Sequence, residues 1–118
     1  MDELTRNAHK VSKIRSHVVF CIKYRKDFFL EETYIQSIKQ ICKEIEEKVY
    51  IKFETTGFDD AHVHFLIESL TTDYSPVKIS QFVKSIIARE LFKRHPQIKK
   101  KLRGGEFWSD GGLTWNSW

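Results

Sequence analysis

The spacing of apolar residues predicts an α+β domain, a mostly antiparallel sheet with two helices packed on one face. Three observations predict it. Short β-branched or alternating runs occur at residues 17–23, 49–55 and 61–69. Two longer stretches, 31–49 and 75–91, place apolar residues three and four apart instead. The segments then follow the order strand, helix, strand, strand, helix, with room for a further edge strand, which is the βαββαβ order of ferredoxin-like sandwiches.

Each element has its own warrant. Residues 17–23 (HVVFCIK) are β-branched and aromatic throughout, as a buried strand requires. In the first helix Ile35, Ile38, Ile41, Cys42, Ile45 and Val49 trace one stripe, and Glu31 and Glu32 stand where the helix dipole favours acids. Val49, Ile51, Phe53 and Thr55 alternate with Tyr50, Lys52 and Glu54. Residues 57–60 read as the turn. In the next strand Val63, Phe65 and Ile67 take one face, and His62, His64, Leu66 and Glu68 the other. Ser75-Pro76 supplies a cap and a first-turn proline to the second helix, whose stripe is Ile79, Phe82, Val83, Ile86, Ile87 and Leu91. His95-Pro96 ends or breaks it. Gly104-Gly105 is a second break before Phe107 and Trp108, whose simplest role is edge packing. The tail from Gly111, with Trp115 and Trp118, is the least patterned part.

The 118 residues make one domain of ordinary size, and sixteen aromatic rings suffice for a core. No apolar run approaches the ~20 residues of a membrane span. Two cysteines, Cys21 and Cys42, make neither a disulfide framework nor a Cys-rich zinc module, so reduced thiols and a cytoplasmic location are expected. The formal net charge is +4. Residues 84–103 carry +7 through Lys84, Arg89, Lys93, Arg94, Lys99, Lys100, Lys101 and Arg103 against Glu90 alone, while the remainder sums to −3. The opening segment to Lys26 is also basic. That asymmetry fits a polyanion-binding face, although a solvated helix face would give the same run.

His62 and His64 are two apart on a strand, so the pleat aims both imidazoles to one side, roughly 7 Å apart at the backbone. Two such rings can converge on one ion. They supply only two ligands, and a catalytic site needs a third group and an open position.

The run His62-Val63-His64-Phe65-Leu66-Ile67 resembles the HUH motif of the single-tyrosine transposases of the insertion sequence 200 type. Residues 18–26 (VVFCIKYRK) resemble that family's opening strand, residues 79–96 its second helix, and residues 104–111 (GGEFWSDG) the segment before its last strand. The likeness covers about residues 10–111. It implies a metal, Mg²⁺ or Mn²⁺, held by His62 and His64. It implies single-stranded or hairpin DNA as substrate, cleaved through a 5′-phosphotyrosine, and a homodimer. Lys23, Tyr24 and Arg25, together with the basic residues on and after the second helix, would contact DNA.

Two departures stand out. Ala61 occupies the position where the family usually has Asp, with Asp59 and Asp60 nearby. And no tyrosine or glutamine follows Gln97, whereas the family carries a nucleophilic tyrosine and a glutamine ligand on a helix after the last strand. None of Tyr24, Tyr34, Tyr50 and Tyr74 stands at that position. The expectation is one HUH-type domain over residues 1–118 without the nucleophile helix, inactive alone, its ending like a frameshift or premature stop. Other readings are a non-catalytic hairpin-DNA-binding or dimerisation module, or an unrelated ferredoxin-like RNA-binding or structural domain.

Overall fold

A computed structural model describes residues 14–70 and 73–110, and the backbone of 113–117. The order is β1 (Ile14–Cys21), α1 (Glu32–Lys48), β2 (Ile51–Phe58), β3 (His62–Ser69), α2 (Pro76–Arg94), α3 (Pro96–Lys101) and β4 (Leu113–Ser117). Two short 3-10 turns, Lys23–Arg25 and Phe28–Leu30, join β1 to α1. The sheet runs β2-β3-β1-β4 with every pairing antiparallel. That is the ferredoxin-like order the sequence predicts. The edge strand in the tail exists, with Val19 opposite Leu113 and Arg15 opposite Ser117. Trp118, the side chain of Trp115 and the basic residues before Ile14 lie outside the described residues.

The core lies between the sheet and the two long helices. Val18, Phe20 and Ile22 from β1 and its end, and Val63, Phe65 and Ile67 from β3, face it at every second residue. Ile38, Ile41, Cys42 and Ile45 of α1 and Ile79, Val83, Ile87 and Leu91 of α2 meet them at helical spacing. Burial pushes the Cys42 thiol up to about 12, with the nearby Glu46 charge adding to the effect. Cys42 is therefore an inert apolar filler at neutral pH.

Three details differ from the sequence pattern. β2 continues through Gly57 to Phe58, so the turn before β3 is shorter than residues 57–60. It absorbs a bulge between Phe53 and Thr55, which leaves Glu54 as the extra residue. The stripe of α1 is rotated, with Tyr34 buried and Ile35 only partly so, and Phe82 of α2 faces solvent at 43% exposure. Pro96 does not simply end α2: it starts the short α3, where the missing N–H costs nothing.

Phe107 and Trp108 are packing residues, both almost fully buried. Phe107 stacks on Phe28, and Trp108 lies against Phe20. The Trp108 indole donates to the Lys84 carbonyl at 3.0 Å, and Ser109 N–H and hydroxyl both donate to the Cys21 carbonyl, at 2.8 and 3.2 Å. This run thus fastens the end of β1 to α2. Among the described residues no helix is long and apolar enough to cross a membrane.

Candidate functional site

The helices cover one face of the sheet, and the other carries the histidines. Pairing places Cys21 opposite His62, and Val19 and Gly57 on either side of His64. The Ile22 N–H donates to the Ala61 carbonyl at 2.9 Å, so Cys21 and His62 form the close, non-hydrogen-bonded pair beside it. At Gly57 a Cβ would meet nothing within 4 Å, and its backbone is outside the left-handed region. The flank of His64 towards β2 is therefore open. The far end of this face is filled differently, with Arg15 3.4 Å from Glu54 and 3.9 Å from Glu68.

His62 is held by the turn that precedes it. Asp59 Oδ1 accepts from the Ala61 N–H at 3.0 Å, the His62 N–H at 2.7 Å and the His62 ring Nδ1 at 3.0 Å. Partial burial works to raise the Asp59 pKa, but the bonds from Ala61 and His62 outweigh it and hold the carboxyl below its ordinary range. Of the two nearby acids, Asp59 contacts the ring; Asp60 instead accepts the Phe29 N–H on its backbone carbonyl at 3.1 Å. His64 is exposed.

The donor set fits a divalent ion in part. Two imidazoles share one face, one of them ring-locked by a carboxylate, as metal-binding histidines commonly are. Cys21 is adjacent in register, yet its thiol is turned to the Ile22 carbonyl at 3.4 Å. Among the described residues no three His, Cys, Asp or Glu side chains converge on one point.

The basic residues divide into two groups. Lys23, Tyr24 and Arg25 form a knuckle past the end of β1, starting two residues after the strand position that pairs with His62, with Tyr24 and Arg25 exposed. Tyr24 and Arg25 both take left-handed backbone angles, φ 62° and 52°, and the Lys23 ammonium lies over the Tyr24 ring at 5.8 Å. Lys99, Lys100, Lys101 and Arg103 are exposed on α3 and the turn after it. Lys101 covers the Phe28 ring at 5.9 Å, Phe28 stacks on Phe107, and the Phe107 carbonyl accepts the Lys23 N–H at 2.8 Å. Through these contacts α3 and the knuckle share one end of the molecule.

Of the other four cations in residues 84–103, all on α2, two are tied down by tertiary contacts and two lie exposed along a different groove. The Lys84 ammonium donates to the Ser109 carbonyl at 3.1 Å and sits over Phe20 at 5.8 Å. Arg94 bridges α1 and α2, at 2.6 Å from Glu44 and 3.1 Å from Glu90. Arg89, 3.8 Å from Glu90, and Lys93 line the outer groove between the helices. Charge along the chain groups all eight together; tertiary contacts separate the structural from the exposed.

A family model for IS200-like transposases matches residues 10–113. The ISDra2 transposase TnpA of Deinococcus radiodurans is 28% identical over 107 residues, which span 91% of this chain and 75% of that one. A crystal structure described as a transposase of Deinococcus radiodurans R1 superposes with a TM-score of 0.77 at 22% identity, covering 89% of this chain and 79% of that one. A REP-associated tyrosine transposase, solved bound to a REP hairpin, gives 0.61 at 9% identity, covering 91% and 58%. At such identities the two structures bear on the fold alone. The family match extends over the histidine pair, the knuckle and α3 together, and the chain belongs to the IS200-like transposase family.

Proposed function

We propose that these residues form the HUH-type DNA-binding and metal-binding domain of a single-tyrosine transposase. The observation that supports this most is the pairing of His62 and His64 on the sheet face opposite the helices, with Asp59 on the first ring and an exposed basic end of the molecule. His62 and His64 hold the ion, and Asp59 keeps one ring in place. When bound, Mg²⁺ or Mn²⁺ polarises the scissile phosphate. Arg25 and the α3 lysines hold the phosphates of a single-stranded or hairpin DNA, which gives affinity with little sequence reading. Tyr24 offers an exposed ring for an unpaired base. In such a transposase strand transfer would proceed by attack of a tyrosine hydroxyl on the phosphorus, forming a 5′-phosphotyrosine as the bond to the 3′ oxygen breaks to leave a 3′-OH, and would reverse on rejoining. None of Tyr24, Tyr34, Tyr50 and Tyr74 is assigned that role. Two copies pair as a homodimer.

A second reading is a hairpin-DNA-binding or dimerisation module, in which none of Tyr24, Tyr34, Tyr50 and Tyr74 acts as nucleophile. Tyr34 is buried and its hydroxyl accepts from Gln97 at 3.3 Å, which suits packing rather than attack. Two measurements test these readings. Mn²⁺ should broaden the His62 and His64 ring signals together, and His62→Ala should abolish the response at His64; independent responses contradict a shared ion. Residues 1–118 alone, incubated with hairpin-ended DNA and Mn²⁺, should yield no covalent protein–DNA band on a denaturing gel. An adduct mapped to any of the four tyrosines would mean that one of them serves as nucleophile.

A further inference from the structure

We infer that Asp59 is the positioning residue of the histidine pair: it fixes which nitrogen of His62 faces outward, before any metal arrives. The inference rests on the metal reading above for its purpose, and on hydrogen-bond geometry for its content.

An ionised carboxylate can only accept hydrogen bonds. The 3.0 Å contact between Asp59 Oδ1 and His62 Nδ1 therefore requires the proton on Nδ1. In a neutral ring that leaves the lone pair on Nε2, the nitrogen far from the turn. An unconstrained imidazole would populate both tautomers and several ring rotations, and only part of that population would present Nε2 as a donor atom.

The same oxygen is itself immobilised. It accepts the Ala61 and His62 N–H groups at 3.0 and 2.7 Å, which closes the turn between β2 and β3 around it. The position of Asp59 is thus set by the backbone, and the ring of His62 is set by Asp59. His62 is also flanked across the strand by Cys21 at the close pair spacing, which limits its swing towards β1. His64, two residues on, is exposed, and among the described residues no carboxylate holds it in the same manner. The pair is asymmetric: one ring is pre-set, and the other adjusts to the ion.

The neighbouring acid does not share this contact. Asp60 is tied through its carbonyl to Phe29, and the bonds to the His62 ring and N–H come from Asp59 alone among the described residues. Carboxylates placed behind metal-binding histidines commonly change metal affinity 10–100-fold when removed.

The test compares wild type, Asp59→Ala and Asp59→Asn at one fixed alkaline pH. Long-range nitrogen–proton correlation of the metal-free proteins should show the Nδ1–H tautomer at His62 in wild type. Asp59→Ala should shift it to a mixture dominated by Nε2–H. Asp59→Asn, whose side-chain oxygen still accepts and still closes the turn, should keep Nδ1–H and serves as the folded comparison if the alanine variant is unstable. Mn²⁺ titration read on the same ring signals should then weaken about 10–100-fold in Asp59→Ala and less in Asp59→Asn. A His62 tautomer unchanged in Asp59→Ala, or equal Mn²⁺ affinity in all three proteins, overturns the inference. If wild type takes up no Mn²⁺ at all, the shared-metal reading is what fails, and the tautomer comparison still decides whether Asp59 sets the ring.

Discussion

Replacing Lys99, Lys100 and Lys101 together by glutamine should flatten the salt dependence of DNA binding without unfolding the protein. All three side chains are exposed, and α3 is anchored by Ile98 and Leu102, which are fully buried and untouched by the change. Within the protein, the change removes the ammonium of Lys99 from above Phe92, at 5.4 Å, and that of Lys101 from above Phe28, at 5.9 Å. Exposed cation–ring pairs of that kind contribute about 0.5–1 kcal/mol each. Each phosphate contact on a single strand adds ~0.7 to the slope of log affinity against log salt, so three contacts give about 2. Between 50 and 200 mM salt the variant should therefore lose about 20-fold less affinity than wild type. Fluorescence anisotropy of a labelled hairpin with a single-stranded flank, repeated across salt concentrations, reads this directly. Lys84→Gln is the comparison that makes the result specific. Its ammonium already holds the Ser109 carbonyl, so its loss should lower the melting temperature and leave the slope nearly unchanged. An unchanged slope in the triple variant, or an equal loss of slope in Lys84→Gln, would refute the division of the cations into structural and exposed groups.

Two further outcomes follow from local geometry. Arg94 holds the Glu44 carboxyl below its ordinary range, helped by Gln40. A depressed folded pKa stabilises above the unfolded value and loses that contribution as pH falls through the folded one. Glu44→Gln should therefore melt below wild type at pH 7, with the gap closing under acid; a gap that persists below the lowered pKa would contradict the linkage. At Arg25, φ is 52°, a conformation that costs most side chains about 1–2 kcal/mol. Arg25→Gly should be neutral to about 1 kcal/mol more stable in urea unfolding, and Arg25→Val less stable, because a β-branched residue resists that backbone. Equal stabilities would show that the knuckle stores no strain.

Much of the fold was legible because strand and helix periods differ and each side chain here obeys one of them. Val63, Phe65 and Ile67 against His62 and His64 announced both the strand and its two faces, and the alternation holds in the structure. Ser75-Pro76 announced a helix start, and the Ser75 hydroxyl does accept the Lys78 N–H at 3.2 Å. The misses share a cause: the deciding contact is distant in sequence. The bulge at Glu54 depends on register with β3, and nothing local marks it. The short α3 hides behind a proline that reads as a stop. The contacts of Lys84 with Ser109 and of Arg94 with Glu44, 25 and 50 residues away, were equally out of reach of the sequence. At the site, the histidines could be read from a three-residue motif, and Asp59 could be named as a neighbour. Its contact with the ring needed the turn to be built.

Gly57 gives the histidine face a use beyond the proposed ion site. Its register places it next to His64, and a methyl group there would meet no atom. Position 57 is thus a built-in gauge. Alanine, valine and phenylalanine at this one point would fill the space beside His64 in graded steps while His62, His64 and Asp59 are kept. How quickly DNA affinity falls along that series would report, in units of side-chain length, how closely a bound strand approaches the histidines. A strand that lies flat on the sheet would be pushed off by the first methyl groups, and one that touches only the end of the molecule would not notice them.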